Sequence, residues 1–233
     1  MNNKILQYNY QIKKEKQKKA FMVILFFIFL FIFINLIFSF LIFPVRQTSI
    51  SMAPDISENS VVMVSPIVKS YDRGDVVLIE ARTSTEKTSL MRKLGIICSK
   101  FFTAQQLSIN ENDKLPGTKQ QLRRIIGMPG DTIYMRDYVM YIKPAGEKHF
   151  LTEFEITPKT YNVTFFTAPA GWDSSLGVKG SFDEIKLADN EYFVLGDNRK
   201  STDDSRLWGA VTKEKIDAKV ILCYFPFNKI KIF

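Results

Sequence analysis

Ser49 and Ser51 are the residues with chemistry to offer. They stand in Thr48-Ser49-Ile50-Ser51-Met52-Ala53-Pro54, just beyond an uncharged apolar run. In an extended backbone residues i and i+2 project to one face, so the two hydroxyls would point into one site. Pro54 keeps the chain from continuing as a helix. The same composition also suits a polar turn at a membrane exit, so the base has to decide between nucleophile and turn. The sole histidine, His149, lies in the polar loop Gly146-Glu147-Lys148-His149-Phe150. A Ser-His-Asp relay needs an oriented imidazole. A serine enzyme on this chain therefore has to use a lysine amine, which acts as a base only where burial or neighbours depress its pKa. Two cysteines, Cys98 and Cys223, and one histidine cannot close a zinc site, and no metal or other cofactor is expected. Both cysteines sit among apolar residues, where a thiol behaves as a small hydrophobe; whether they pair is left open.

The elements that must position these hydroxyls are mostly strands. Residues 60–64, 75–79, 122–126, 132–134, 139–142, 191–195 and 220–225 are short runs rich in β-branched and aromatic side chains. Turn residues separate them, which predicts strands. Lys69 to Gly74 reads as the turn of a hairpin or meander between the first two. Pro129-Gly130 is a type II turn signal, because glycine accepts the positive φ. Residues 90–102 carry apolar positions at helical spacing, which fits a helix packed on the sheet or lying on a leaflet. The stretches 103–121 and 144–190 read as loops and a peripheral β-extension. Ahead of all this, Ala20 to Phe43 holds 24 positions without a charge, roughly 36 Å as a helix against a hydrocarbon core of about 30 Å. That is too long for a cleavable signal peptide and predicts an uncleaved anchor.

The net charge of +8 invites a nucleic-acid reading, but its position excludes one. Residues 1–19 carry six lysines against Glu15, +5 of the +8. A basic cluster beside an apolar span is the positive-inside signal, strengthened by anionic lipid. The expected organisation is a basic cytoplasmic tail at 1–19, an anchor at 20–43 and an outer domain at 44–233. The partners expected are membrane lipid and no nucleic acid.

Four motifs in order then resemble the boxes of bacterial type I signal peptidases. They are Ser49-Ile50-Ser51-Met52-Ala53-Pro54 after the anchor, Tyr71-Asp72-Arg73-Gly74-Asp75-Val76-Val77, Arg123-Arg124-Ile125-Ile126-Gly127-Met128-Pro129-Gly130-Asp131, and Gly196-Asp197-Asn198-Arg199 with Thr202 and Asp204-Ser205-Arg206-Leu207-Trp208-Gly209. The resemblance leaves 84–118 and 144–185 unaligned. It implies a mainly β, antiparallel outer domain with a peripheral β-extension, on one N-terminal transmembrane helix. It also implies a membrane-anchored serine endopeptidase that removes signal peptides from exported preproteins. On that resemblance Ser51 is the nucleophile, Ser49 helps form the oxyanion hole, and Thr202 is the orienting hydroxyl. Asp197, Arg199, Asp204 and Arg206 are scaffold positions. Pro44, Val45, Arg46, Gln120, Gln121 and Leu122 flank an extended substrate. The chain departs from the pattern at the general base, a lysine in the family and Arg123 here. Guanidinium does not deprotonate in proteins. Three readings follow: an inactive paralogue that keeps the groove and associates with signal peptides, an active paralogue or the export machinery; a substitute amine, of which Lys200 is nearest in sequence; or slow chemistry by the oxyanion hole alone.

Overall fold

The computed structural model describes residues 2–80, 120–165, 180–200 and 203–233. The helix expected at 90–102, the insertion at 84–118, Cys98 and Thr202 lie outside the described residues.

A single helix, Asn2–Phe40, opens the chain. Within it Lys13–Ile37 is long and apolar enough to cross a membrane by length and composition. The helix runs unbroken through the 19/20 boundary, because lysine, glutamine and glutamate are good helix formers. The charge therefore marks a change of surroundings and leaves the secondary structure unchanged. Asn35, in the middle of the apolar run, donates its amide to the Phe31 carbonyl one turn back, which satisfies it without a partner helix. The helix stops at Phe40, and Phe43 already opens a strand; Pro44 pushes the residue before it out of the helical region.

Twelve strands follow among the described residues. They are β1 (Phe43–Arg46), β2 (Val61–Ser65), β3 (Val76–Ile79), β4 (Gln121–Gly127), β5 (Thr132–Arg136), β6 (Val139–Lys143), β7 (Leu151–Thr152), β8 (Phe182–Lys186), β9 (Glu191–Leu195), β10 (Val211–Thr212), β11 (Ile216–Phe225) and β12 (Lys231–Ile232). The larger sheet has the order β1-β2-β11-β3-β4-β9-β10, with β12 also beside β11; the smaller has the order β7-β6-β5-β8. Neighbouring strands run antiparallel. The expected hairpin between residues 61–64 and 75–79 does not form: β11 lies between β2 and β3 and pairs with both. β4 and β5 are joined by a turn in which the Asp131 N–H reaches the Met128 carbonyl and Gly130 takes φ +80°. The two strands then go to different sheets. The smaller sheet is the peripheral β-extension, assembled from residues 132–186.

The larger sheet curls. Laid flat, β1 and β4 would be four spacings apart, about 19 Å. Instead Val45 of β1 and Leu122 of β4 pack on one core with Met52, Ile56, Val62, Val76 and Val220. Register shifts in β11 at Ile216/Ala218, Val220/Leu222 and Cys223/Phe225 supply the bending, since each bulge bends and twists its strand. β4 is the common wall. Leu122 enters this core, Ile125 a second with Tyr71, Val77 and Tyr192, and Ile126 a third with Ile133, Met140 and Phe193. Cys223 is a free buried thiol in the first.

Candidate active site

The curl brings the chain after β1 against β4. Ile50–Met52 form one turn of 3₁₀ helix with Ser49 as its extended N-cap. The two hydroxyls do share a site, with Ser49 Oγ and Ser51 Oγ 2.9 Å apart. The cause is this capped turn, since only Ser49 is extended. The turn is held from behind by the 196–199 segment. The Asn198 N–H donates to the Ser51 carbonyl at 2.9 Å and the Asn198 amide to the Ile50 carbonyl at 3.3 Å. A Cβ at position 196 would lie 2.7 Å from the Ser51 carbonyl oxygen, so only glycine lets the two backbones approach this closely.

Arg123, projecting from β4, meets Ser51 directly: its Nη1 donates to Ser51 Oγ at 3.0 Å. Nη1 also reaches the Leu122 carbonyl, Nη2 reaches Gln121 Oε1 at 2.6 Å and the Asp203 carbonyl, and Nε reaches the same carbonyl at 2.7 Å. These are five contacts to four acceptors, the Asp203 carbonyl taking two, for the five hydrogens of a guanidinium. Burial pushes the Arg123 pKa down, against the pull of Asp204 and Asp203. The group starts so high that it keeps its proton. It is 2 % exposed.

Gln47 is a site residue that the sequence reading missed. It is buried, its backbone is held by Ser60 and Asn59, and its amide donates to Ser51 Oγ at 3.1 Å, Ser49 Oγ at 3.2 Å and the Ser49 carbonyl at 2.9 Å. The i, i+2 spacing that singled out Ser49 and Ser51 continues back to residue 47 and offered the only clue. Ser51 Oγ accepts from Arg123 and lies within reach of the Gln47 amide, and it shares a hydrogen bond with Ser49 Oγ in which either hydroxyl can donate. Among the described residues no lysine is a partner of Ser51 Oγ. Lys200 is exposed, with its backbone N–H on Asn198 Oδ1. His149 is exposed as well.

The scaffold positions are buried and paired. Arg124 makes a two-point contact with Asp197, at 2.7 and 2.6 Å, donates to the Gly74 carbonyl and lies over the Tyr161 ring. Burial works against its charge, but Asp197 overcomes this and raises its pKa. Arg199 pairs with Glu153 at 2.5 Å and Arg206 with Asp204 at 2.6 Å. The Arg206 Nη1 also reaches the Arg199 carbonyl. The partners Arg124 and Glu153 were not legible beforehand, because the pairs join residues 46 to 73 positions apart in two of the three cases.

The expected substrate-flanking residues fall on two strand edges. Pro44, Val45 and Arg46 lie in β1, the terminal strand of its sheet. Gln121 and Leu122 pair with β3 on one side, while on the other β9 begins to pair only at Arg124. Gln120 is exposed just before β4 and holds Asp217. Both edges lead to the Ser51–Arg123 contact.

A curled antiparallel β domain behind an apolar helix, with a capped serine against a basic side chain and no histidine nearby, defines the scaffold of a histidine-free serine peptidase. The chain belongs to the family described as signal peptidase, peptidase S26, whose sequence model matches residues 19–225. Signal peptidase I of Bacillus licheniformis is 26% identical over 202 residues, covering 84% of this chain and 83% of its own. Signal peptidase I P of Bacillus subtilis subsp. natto is 27% identical over 224 residues, covering 94% and 97%. Among solved structures, a signal peptidase I from Enterococcus faecalis V583 aligns with 64% of this chain and 96% of its own, at 20% identity and a TM-score of 0.32.

Proposed function

We propose that this chain is a membrane-anchored signal-peptide-binding member of the signal peptidase family in which peptide-bond cleavage is suppressed. The observation that carries this reading is the direction of the hydrogen bonds at Ser51. Arg123 can only donate to its oxygen and cannot take its proton. The other groups within hydrogen-bond reach of that oxygen are the Gln47 amide and the Ser49 hydroxyl, and neither is a base. Ser51 stands at the nucleophile's position, Ser49 at the oxyanion hole and Arg123 in place of the base. A positioned base contributes roughly 10²–10⁴ in rate, so any residual cleavage is slow.

The groove is the part that is kept. The open edges at Pro44–Arg46 and Gln121–Leu122 suit an extended peptide added as a strand, with main-chain hydrogen bonds giving affinity and pockets choosing side chains. The substrate class is the signal peptide of an exported preprotein, with small residues at −1 and −3 from the cleavage point. The helix would anchor the chain in the cytoplasmic membrane, with the lysine-rich end inside and the β domain outside. The test is cleavage of a preprotein by the full chain in detergent, with Ser51→Ala as control. Negligible cleavage by the natural protein and at least tenfold faster cleavage by Arg123→Lys are expected. Brisk cleavage that Lys200→Ala abolishes would overturn the suppressed reading and make the exposed Lys200 the working amine.

A further inference from the structure

The buried arginines of this domain are not alike. Arg124, Arg199 and Arg206 each lie against a carboxylate within 2.6 Å. Arg123 is as deeply buried, yet among the described residues no carboxylate comes within ion-pair distance of it. Its acceptors are three backbone contacts, an amide oxygen and the Ser51 hydroxyl. Asp203 offers it the backbone carbonyl and turns its own carboxylate to the Trp208 indole. Its hydrogens are satisfied, but its charge is balanced only at a distance, chiefly by Asp204 and Asp203, whereas a buried arginine usually has its counter-ion in contact.

The hydrogen bonds leading away from that charge can run one way. Arg123 donates to Ser51 Oγ, and the Ser51 and Ser49 hydroxyls share a 2.9 Å hydrogen bond that either can donate. Ser49 is exposed; with Ser51 as the donor, its own hydrogen is left for an acceptor in the groove. A donor chain that starts on a buried cation polarises each successive O–H, and in that orientation this one ends on the exposed Ser49 hydroxyl. A negatively charged acceptor there selects that orientation.

We propose that Arg123, Ser51 and Ser49 form a receptor for the free C-terminal carboxylate of an extended peptide, so that the groove prefers an already cleaved signal peptide to an intact preprotein. The proposal rests on the reading of the groove as a signal-peptide site and adds which end of the peptide is recognised. Hydrolysis of a peptide bond leaves a carboxylate at the new C-terminus. A peptide lying along the β1 and β4 edges with its last residue at the 3₁₀ turn presents that group to Ser49. An intact preprotein offers only a neutral carbonyl there, a weaker acceptor for a charge-assisted donor. The protein then acts as a holder of peptidase products.

Two synthetic peptides of the last eight residues of a signal peptide, one with a free C-terminal acid and one with a C-terminal amide, would be titrated by fluorescence anisotropy against the full chain in detergent micelles. The acid is expected to bind at least tenfold more tightly than the amide. Arg123→Gln and, separately, Ser49→Ala should each reduce that ratio to below threefold, whereas Arg123→Lys, whose amine takes up a proton when a carboxylate binds beside it, should retain part of it. Should Arg123→Gln fail to fold, exposed Ser49 carries the comparison alone. Equal binding of acid and amide by the natural chain would overturn the carboxylate receptor while leaving the peptide groove intact. Binding of neither would overturn the groove reading itself.

Discussion

At the scale of single residues, the domain turns on the identity of residue 123. The expected gain of at least tenfold in cleavage for Arg123→Lys is a cautious fraction of what a general base contributes. A primary amine held by burial can lose its proton where a guanidinium cannot. Single-turnover cleavage of a radiolabelled preprotein measures it, and a rate equal to the natural chain's would mean that Ser51 is disabled by more than its missing base. Gly196 gives a second expectation. A methyl group there would lie 2.7 Å from the Ser51 carbonyl, and backbone on both sides leaves no flexible tip to yield. Gly196→Ala should lower stability by about 1–3 kcal/mol and weaken peptide binding together with it, as thermal melts and titrations would report.

At the scale of elements, the buried ion pairs fix how the loops sit on the sheet. Asp197 ties the segment behind Ser51 to Arg124 of β4. Asp197→Ala leaves a buried guanidinium without its main counter-charge, and a loss of about 3 kcal/mol in unfolding free energy is expected. Asp75, fully buried at the start of β3, pairs with Lys159 at 2.6 Å and Lys219 at 2.5 Å. Burial opposes its ionisation, but the two lysines overcome this and hold its pKa below the ordinary carboxylate value. A lowered carboxylate stabilises the fold above its unfolded pKa and loses that contribution as pH falls through the folded value. The stability difference between the natural chain and Asp75→Asn should therefore be full at pH 7 and shrink in acid below the ordinary aspartate range; a difference independent of pH would contradict the assignment. The strands themselves were legible, since runs such as Val61–Val64 and Glu191–Leu195 carry their own local signal. Their pairing was not. β11 lies between β2 and β3 because of contacts about 150 residues away in sequence, and nothing in the 60–79 stretch records that. The shared site of Ser49 and Ser51 was foreseen from strand geometry and arises from a capped 3₁₀ turn. Gln47 escaped because a glutamine carries no nucleophilic or acid–base signature.

At the scale of the whole molecule, the charge distribution and the helix give the chain a direction. Six lysines precede Ala20, and the β domain begins within a few residues of the helix end. In the proposed orientation, with the basic end inside, protease added to intact spheroplasts should digest residues 44–233 and spare the lysine-rich end. Protection of the β domain would reverse the orientation. The family was legible because its four boxes coincide with the places where the fold is over-determined: the capped turn, buried Asp75 held by two lysines, the ion-paired strand β4, and the glycine that lets the 196–199 segment touch Ser51.

The cradle around Arg123 also bears on the history of the chain. Five contacts to four acceptors use the five hydrogens of the guanidinium, and an ammonium brings only three. A return to lysine would leave two contacts unmade in a buried site, a loss on the order of 1–3 kcal/mol, even as it restored a base. If Arg123 stands in place of a lysine base, as proposed, the surroundings have settled around the arginine and the change acts as a ratchet. A revertant would gain chemistry while giving up stability, so a lineage could recover cleavage only by reshaping Gln121 and the Asp203 loop as well.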